Sequence, residues 1–256
     1  MRLPLSLLTF SLCLIALSGC RQDAPTAAAP DAPSLFREKN PPGKTVSDPL
    51  PLPATGAGNF ENLVADYESK DRGIWQKPEM VISLLGDLQG KTVADIGAGT
   101  GYFTFRLVPR AEKVIGIDID QRFIRFLDSV KVRLPLAYRH RFEARLARPE
   151  DPLLRPEEAD AVMIVNTYGY MQQRVQYLQT LIKGMKPGGQ LLIIDFKKNN
   201  LPVGPPDQYK VALSQVEREL MASGYAVRTI DKDALDYQYI IIAEKPKDSP
   251  TRPTPQ

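Results

Sequence analysis

Short apolar runs alternate along this chain with segments in which apolar residues recur at every third or fourth position. Runs of roughly 4–8 apolar residues are typical of buried strands, and the wider spacing is typical of amphipathic helices. The pattern predicts strands at residues 92–96, 113–117, 141–146, 160–165, 190–196, 225–230 and 237–243, and helices at residues 79–88, 102–108, 121–132, 174–185 and 211–223. Because strands and helices alternate, we expect an α/β fold with a doubly wound, mostly parallel, seven-stranded sheet and helices on both faces.

The beginning of the chain has a different pattern. Arg2 and an apolar stretch that ends at Leu17-Ser18-Gly19-Cys20 predict that residues 1–19 are a signal peptide. The small residues before Cys20 resemble a bacterial lipobox, so we expect cleavage before Cys20 and lipidation of this residue. A lipid anchor would attach the protein to a membrane of the bacterial cell envelope, with its domain in the periplasm or outside the cell. If translation starts at a later codon, the protein is cytoplasmic instead.

The rest of the chain divides into three regions by composition. Residues 20–58 are rich in Pro and Ala, which predicts a disordered linker that begins at the lipidation site. Residues 59–245 contain every predicted strand and helix and form the expected domain. Residues 246–256 are again rich in Pro and predict a disordered tail.

Composition argues against several kinds of site. Cys13 and Cys20 are the only cysteines, so the domain has no thiol for a disulfide or a Cys-based metal site. His140 is the single histidine and leaves little scope for a His-ligated metal or a Ser-His-Asp triad. We therefore expect no metal. The formal net charge of +3 is too small to indicate a nucleic acid partner, and the basic residues around 139–148 are interpreted as a solvated face.

The candidate binding site is a glycine-rich turn directly after the first strand, with the spacing Asp95-x-Gly97-x-Gly99-x-Gly101. Glycines let a ligand lie against the backbone, and the helix that follows offers unpaired N–H groups. The spacing differs from the dinucleotide pattern G-x-G-x-x-G, because Tyr102 stands where a third glycine is needed. This difference disfavours a nicotinamide-dependent oxidoreductase, which stays the weaker alternative. The acidic residue before the glycines suits a positively charged or amino-bearing ligand.

A second carboxylate, Asp118, follows the second strand. Doubly wound folds place an acidic residue here to accept hydrogen bonds from ribose hydroxyls. A helix N-cap is the alternative for Asp118, and it is the favoured interpretation for Asp120.

These motifs, together with later ones, resemble the class I S-adenosylmethionine-dependent methyltransferases. The resemblance rests on residues 93–104, on Gly116-Ile117-Asp118-Ile119-Asp120, on the strand before Asn166, and on Lys186-Pro187-Gly188-Gly189 before a strand that reaches Asp195. It covers residues 60–243 and is greatest with a bacterial branch that acts on small molecules. It implies a Rossmann-like fold, S-adenosyl-L-methionine as cofactor, and methyl transfer to a small-molecule acceptor.

The resemblance also implies roles for particular residues in binding the cofactor. The methionine end would be lined by Asp95, Gly97, Ala98, Gly99 and Gly101. The ribose would be held by Asp118, and the adenine would contact Ile119 and Asp151. A structural turn is the alternative role for Asp151, because prolines flank it.

The acceptor is expected at the end of the fourth strand. Asn166, Tyr168 and Tyr170 are the candidate catalytic residues, and Asn166 would also contact the cofactor. Tyr67, Trp75 and Tyr168 are the candidate substrate-binding residues, with ordinary packing as the alternative for the first two. The family often has a histidine pair at this place, where the present chain has tyrosines.

The absent histidines leave three interpretations. The acceptor ionises easily, a tyrosine assists the transfer, or activity has been lost. A second hypothesis for the whole protein follows from the export signal, since S-adenosylmethionine is made in the cytosol. On that hypothesis the chain is an exported, non-catalytic protein that binds S-adenosylmethionine or a nucleoside and retains the fold.

Overall fold

The structure, a computed structural model, describes residues 60–68 and 70–247. The predicted signal peptide, the lipidation site Cys20, the predicted linker and all but the first two residues of the predicted tail lie outside the described residues. Among the residues that are described, none of the helices is both long enough and apolar enough to cross a membrane.

The described residues contain one mixed sheet of seven strands in the order β3-β2-β1-β4-β5-β7-β6. The strands are β1 (Thr92–Ile96), β2 (Lys113–Asp118), β3 (Phe142–Leu146), β4 (Ala159–Val165), β5 (Met185–Phe196), β6 (Ala226–Asp231) and β7 (Gln238–Glu244). The first five strands are parallel, and β7 is antiparallel to both β5 and β6. The structure therefore confirms the α/β fold with a mostly parallel, seven-stranded sheet.

Helices cover both faces of the sheet and bury it between them. They are α1 (Phe60–Tyr67), α2 (Lys70–Gln76), α3 (Pro78–Ser83), α4 (Thr104–Leu107), α5 (Gln121–Lys131), α6 (Leu136–Arg139), α7 (Arg174–Gly184) and α8 (Leu213–Ala222). Successive strand residues point to opposite faces. Val93 thus packs with α3, α4 and α5 in one apolar cluster, and Ala94 packs with α7 and α8 in the other.

Two features differ from the sequence prediction. The predicted turn Lys186-Pro187-Gly188-Gly189 lies within β5, where the pairing with β4 shifts register and Gly188 has φ +75°. The helices α1, α2 and α6 were not predicted, because each has at most eight residues and none has a long apolar period.

The strand order locates the site. β1 and β4 are neighbours, but the chain leaves β1 toward β2 on one side and returns to β4 on the other. In open α/β sheets a crevice forms at this switch point, beyond the carboxyl ends of the strands, and ligands bind there. The turn after β1, the end of β2 and the end of β4 all meet at this edge.

Gly101 gives a direct test of the packing below this edge. Its φ is +84°, and an added Cβ would lie 2.6 Å from Phe105 Cδ2 and 2.8 Å from Leu127 Cδ2. We expect Gly101→Ala to lower the free energy of unfolding by roughly 2–4 kcal/mol, from backbone strain and overpacking together. Gly90→Ala is the matched control, since Gly90 has φ +69° with open space around it and should lose only about 1 kcal/mol. Equal losses in denaturant titrations would contradict the proposed packing.

Candidate functional site

The turn after β1 depends on three glycines with positive φ, Gly97, Gly99 and Gly101. The backbone N–H groups of Gly97 and Ala98 both donate to the carbonyl of Ile117, at 2.8 and 3.0 Å, which fixes the turn to β2. An added Cβ at Gly97 would lie 2.9 Å from Thr167 Cβ, and one at Gly99 would lie 3.2 Å from the Tyr67 ring. The first two glycines thus face the crevice side.

The third glycine of the turn has a different environment from the one expected. Gly101 faces Phe105 and Leu127, which belong to the core beneath the turn. The expectation that the backbone of Gly101 lines the cofactor stays a prediction, because these contacts concern only the direction of its absent side chain. Its missing side chain makes room for the packing of α4 and α5.

Asp118 joins the end of β2 to the glycine turn. One carboxylate oxygen, Oδ2, accepts a hydrogen bond from Gly99 N at 2.9 Å, and the other, Oδ1, accepts from Asp120 N at 2.9 Å. Burial raises the pKa of Asp118, and these backbone hydrogen bonds oppose the rise. Asp120 is the N-cap of α5 and accepts from Arg122 N at 2.8 Å, as the sequence predicted. Ile119, between them, is 53% exposed and can contact a ligand.

Asp95 lies in β1 with only 3% of its surface exposed. Thr104 Oγ1 donates to its Oδ2 at 2.6 Å. Burial raises the pKa of Asp95 to about 6, and the negative charge of Asp118 adds to the rise, whereas the Thr104 hydrogen bond and the Arg72 charge oppose it. A carboxylate in this environment is stabilised by a cation placed beside it.

The segment that contains α1 and α2 covers the glycine turn with Tyr67, which the sequence analysis selected, and with Glu68 and Arg72, which it missed. The Tyr67 ring stacks on Phe123, with centroids 5.6 Å apart, and Glu68 accepts a hydrogen bond from Thr100 Oγ1. The Arg72 guanidinium lies 4.1 Å from the centre of the Tyr102 ring. Residues 68, 72 and 76 follow one another at intervals of four, the spacing of one helix face. This spacing was the signal in the sequence that could have identified these polar groups.

Asn166 begins the segment after β4 and has φ +56°. Its N–H donates to the carbonyl of Ile194 at 2.9 Å, which ties it to β5. Its side-chain Oδ1 accepts a hydrogen bond from Nε2 of Gln238, a fully buried residue that sequence analysis did not select. Asn166 is itself half-buried at the carboxyl edge of the sheet.

Tyr168 has a structural environment rather than a catalytic one. Its side chain is fully buried, and its hydroxyl donates to Glu219 Oε2 at 2.7 Å. Burial first, and then the contact with Glu219, raise the pKa of Tyr168. Arg174 donates to the same carboxylate at 2.8 Å, so this cluster ties α7 to α8. This placement favours a structural role for Tyr168 over the catalytic and substrate-binding roles, which stay predictions.

The other aromatic candidates lie in half-buried positions at the carboxyl edge. Tyr170 stacks on Tyr209, with centroids 5.2 Å apart, and Trp75 lies 5.7 Å from Phe196. Burial raises the pKa of Tyr170, so this side chain is neutral at physiological pH. The roles of Tyr67, Trp75 and Tyr170 at the acceptor stay predictions.

Asp195 accepts backbone hydrogen bonds from the segment after β4 and from the end of β5. Its Oδ2 accepts from Gly169 N at 3.1 Å, and its Oδ1 accepts from the N–H of Phe196 at 2.7 Å. Burial raises the pKa of Asp195 to about 6, against the effect of these hydrogen bonds. Asp195 thus holds the short 3₁₀ turn Tyr168–Tyr170 against the end of β5.

Asp151 and the basic cluster have local partners. Asp151 Oδ1 accepts from Leu153 N at 2.8 Å, and its backbone bridges to Arg148, which is the structural turn considered as the alternative. Burial is the largest cause of the raised pKa of Tyr177, and the negative charges of Asp151 and Asp118 add to it. The two carboxylates therefore act on the same ring. In the basic cluster, Arg145 pairs with Glu158 at 2.7 Å.

The sheet order and the crevice define an α/β protein that binds a nucleoside-type ligand bearing a cationic group. A family model described as a methyltransferase domain matches residues 87–240, and the chain belongs to this family. This result confirms the class of protein expected from the sequence motifs.

Individual relatives agree with this assignment. A tRNA U34 carboxymethyltransferase of Idiomarina loihiensis is 31% identical over 138 residues, which are 53% of this chain and 42% of the relative. A ubiquinone biosynthesis O-methyltransferase of Alkalilimnicola ehrlichii is 23% identical over 64% of this chain and 60% of its own length. The chain thus spans less than two thirds of these curated relatives.

Among solved structures, a SAM dependent methyltransferase from Aquifex aeolicus superposes with a TM-score of 0.67 at 21% identity. The superposition covers 73% of this chain and 99% of that one, which confirms the Rossmann-like methyltransferase fold. Family and fold together support S-adenosylmethionine as the cofactor.

The raised pKa of Asp95 predicts a stability that depends on pH. Its folded value of about 6 lies above the ordinary 3.8, so the wild-type protein loses stability as pH rises from about 4 through 6. Asp95→Asn should match the wild type below about pH 4 and exceed it above pH 6, by up to about 3 kcal/mol in the free energy of unfolding. Asp128→Asn, on the exposed side of α5, controls for the removal of one negative charge. A difference between Asp95→Asn and the wild type that is constant with pH would contradict this assignment.

Proposed function

We propose that this protein is an S-adenosylmethionine-dependent methyltransferase that acts on a small molecule. The proposal rests on one observation, the two buried carboxylates Asp95 and Asp118 on either side of a glycine turn at the switch point of the sheet. Such a pair suits a ligand with an ammonium group at one end and a ribose diol at the other. S-adenosylmethionine has both groups.

The residues at the crevice fit this cofactor. Asp118 would accept hydrogen bonds from the ribose hydroxyls, and Asp95 would face the ammonium of the methionine part. Arg72, whose charge acts on Asp95, is the cation suited to the methionine carboxylate. When bound, the cofactor supplies a methyl group on a positively charged sulfur.

Methyl transfer then requires the protein to position the acceptor and to exclude water. Positioning of two reactants can supply a large part of the rate. The rings of Tyr67, Trp75 and Tyr170 provide apolar surface for a flat acceptor beside the glycine turn. Because neither Tyr168 nor Tyr170 ionises easily, neither is suited to take a proton from the acceptor, which favours an acceptor that arrives ionised.

The tRNA U34 carboxymethyltransferases among the relatives suggest a nucleic acid as the alternative acceptor. Charge argues for the small molecule. The formal net charge is only +3, and Arg145 of the basic cluster is engaged by Glu143 and Glu158. A small-molecule acceptor and the absence of a nucleic acid partner are therefore kept as our prediction.

The ribose assignment is tested by calorimetry with S-adenosylmethionine on the purified full chain. We expect Asp118→Ala to weaken binding by about 10- to 100-fold, because two charge-assisted hydrogen bonds are lost. Asp128→Ala should bind as the wild type does, since its side chain is exposed on α5. Unchanged affinity in Asp118→Ala would exclude the ribose role. No binding to the wild type at millimolar cofactor would refute the proposed function.

The location of the protein in the cell is part of the proposal. We expect the mature chain to begin at Cys20, with a lipid on its thiol and amine, and to fractionate with the bacterial cell envelope. Mass spectrometry of the mature N-terminus measures this directly, and Cys20→Ala should release the protein from the membrane fraction. An unmodified chain that retains residues 1–19 in the soluble fraction would refute the anchor.

A further inference from the structure

A chain of side-chain hydrogen bonds runs from α2 to the end of β4. Arg72 Nε donates to Gln76 Oε1 at 2.5 Å, and Gln76 Nε2 donates to Gln238 Oε1 at 3.2 Å. Gln238 Nε2 in turn donates to Asn166 Oδ1. Gln76 and Gln238 are fully buried, so their amide groups depend on these partners.

The direction of this chain of hydrogen bonds is set at one end. A guanidinium has only donors, so Gln76 must turn its carbonyl toward Arg72 and its NH2 toward Gln238. Gln238 must then accept from Gln76 and donate to Asn166. No amide in the series can be reversed alone without losing a buried hydrogen bond.

The fixed direction of these hydrogen bonds sets the orientation of the Asn166 carboxamide. Its carbonyl is held by Gln238, which leaves its NH2 group as the part of the side chain that can contact a ligand. Among residues 60–68 and 70–247, none accepts a hydrogen bond from Asn166 Nδ2. Asn166 therefore offers a donor at the carboxyl edge of the sheet.

We propose that Gln238 is a positioning residue that makes this site select an oxygen nucleophile, by holding the Asn166 carboxamide with its NH2 group toward the methyl acceptor. The inference rests on the proposed function, because it names the acceptor class of the same site. The acceptor class is an ionised hydroxyl on a flat ring, such as a phenolate.

The chemistry distinguishes oxygen from nitrogen at this position. A phenolate oxygen uses one lone pair to form the O–CH3 bond while another accepts a hydrogen bond from Asn166. The S–CH3 bond breaks, its electron pair stays on sulfur, and the proton has already left the phenol for water. An amine uses its single lone pair for the new bond, so its N–H groups need an acceptor that Asn166 does not present.

Gln238→Glu reverses the polarity without changing the shape of the residue. An ionised carboxylate accepts hydrogen bonds only, so it accepts from Gln76 and requires Asn166 to turn its NH2 toward residue 238. The Asn166 carbonyl then faces the acceptor. Gln190→Glu is the matched control, because Gln190 lies near the middle of β5, away from its carboxyl end, and donates to the carbonyl of Leu84.

The test uses two probes of equal shape, 4-nitrophenolate and 4-nitroaniline. Their affinities are measured at about pH 8, where the phenol is ionised, and again at about pH 9.5, where the introduced carboxyl is ionised even though burial raises its pKa. The full chain is first saturated with S-adenosylhomocysteine, the product left when the methyl group is absent. We expect wild type and Gln190→Glu to prefer the phenolate by about tenfold or more, and Gln238→Glu to lose or invert this preference.

A second measurement tests the orientation itself. In the wild type, nuclear magnetic resonance should detect the hydrogen bond from the Gln238 side-chain NH2 to the Asn166 carbonyl through its scalar coupling. A reversed orientation of the Asn166 carboxamide would overturn the inference. Equal binding of the two probes, or no binding of either probe, would overturn it as well. If S-adenosylmethionine does not bind at all, the proposed function fails, and the resonance measurement still decides the orientation.

Discussion

Three buried carboxylates at one edge of a parallel sheet impose the main constraint on this structure. Asp95, Asp118 and Asp195 lie at or near the carboxyl ends of β1, β2 and β5, and each has at most 9% of its surface exposed. Burying a charge costs free energy unless it is paired or hydrogen-bonded. The glycine turn, Thr104 and the backbone of the segment after β4 supply those hydrogen bonds.

The constraint also explains the helices that precede the sheet. Asp95 and Asp118 repel each other, and Arg72 of α2 is the cation whose charge offsets part of that repulsion. The same guanidinium starts the series of amide bonds that reaches Asn166. Polar contacts therefore help to hold α2 to the sheet, whereas α1 packs through the rings of Phe60 and Tyr67 on Phe123.

The acceptor end of the crevice is less polar than the cofactor end. Tyr168 is turned away into the contact between α7 and α8, while Trp75 packs on Phe196 and Tyr170 stacks on Tyr209. The same fold hosts many reactions, so function has to be argued from the residues at the site. A flat acceptor that is already ionised is our proposal from those residues.

The sequence alone determined the features that depend on neighbours along the chain. The strand, the glycine turn and Asp95 lie within a few residues, and Asp118 follows its own strand, so periodicity and spacing predicted their places and the family resemblance named their ligand. Tertiary structure alone decided that Tyr168 is buried and that Gly101 leaves room for Phe105 and Leu127. It also decided that Gln76 and Gln238 are hydrogen-bonded in series to Asn166. Gln76 and Gln238 are 162 positions apart, and Gln238 and Asn166 are 72 apart. Their pairing arises from the order of strands in the sheet, and no local pattern of hydrophobic and polar residues records it.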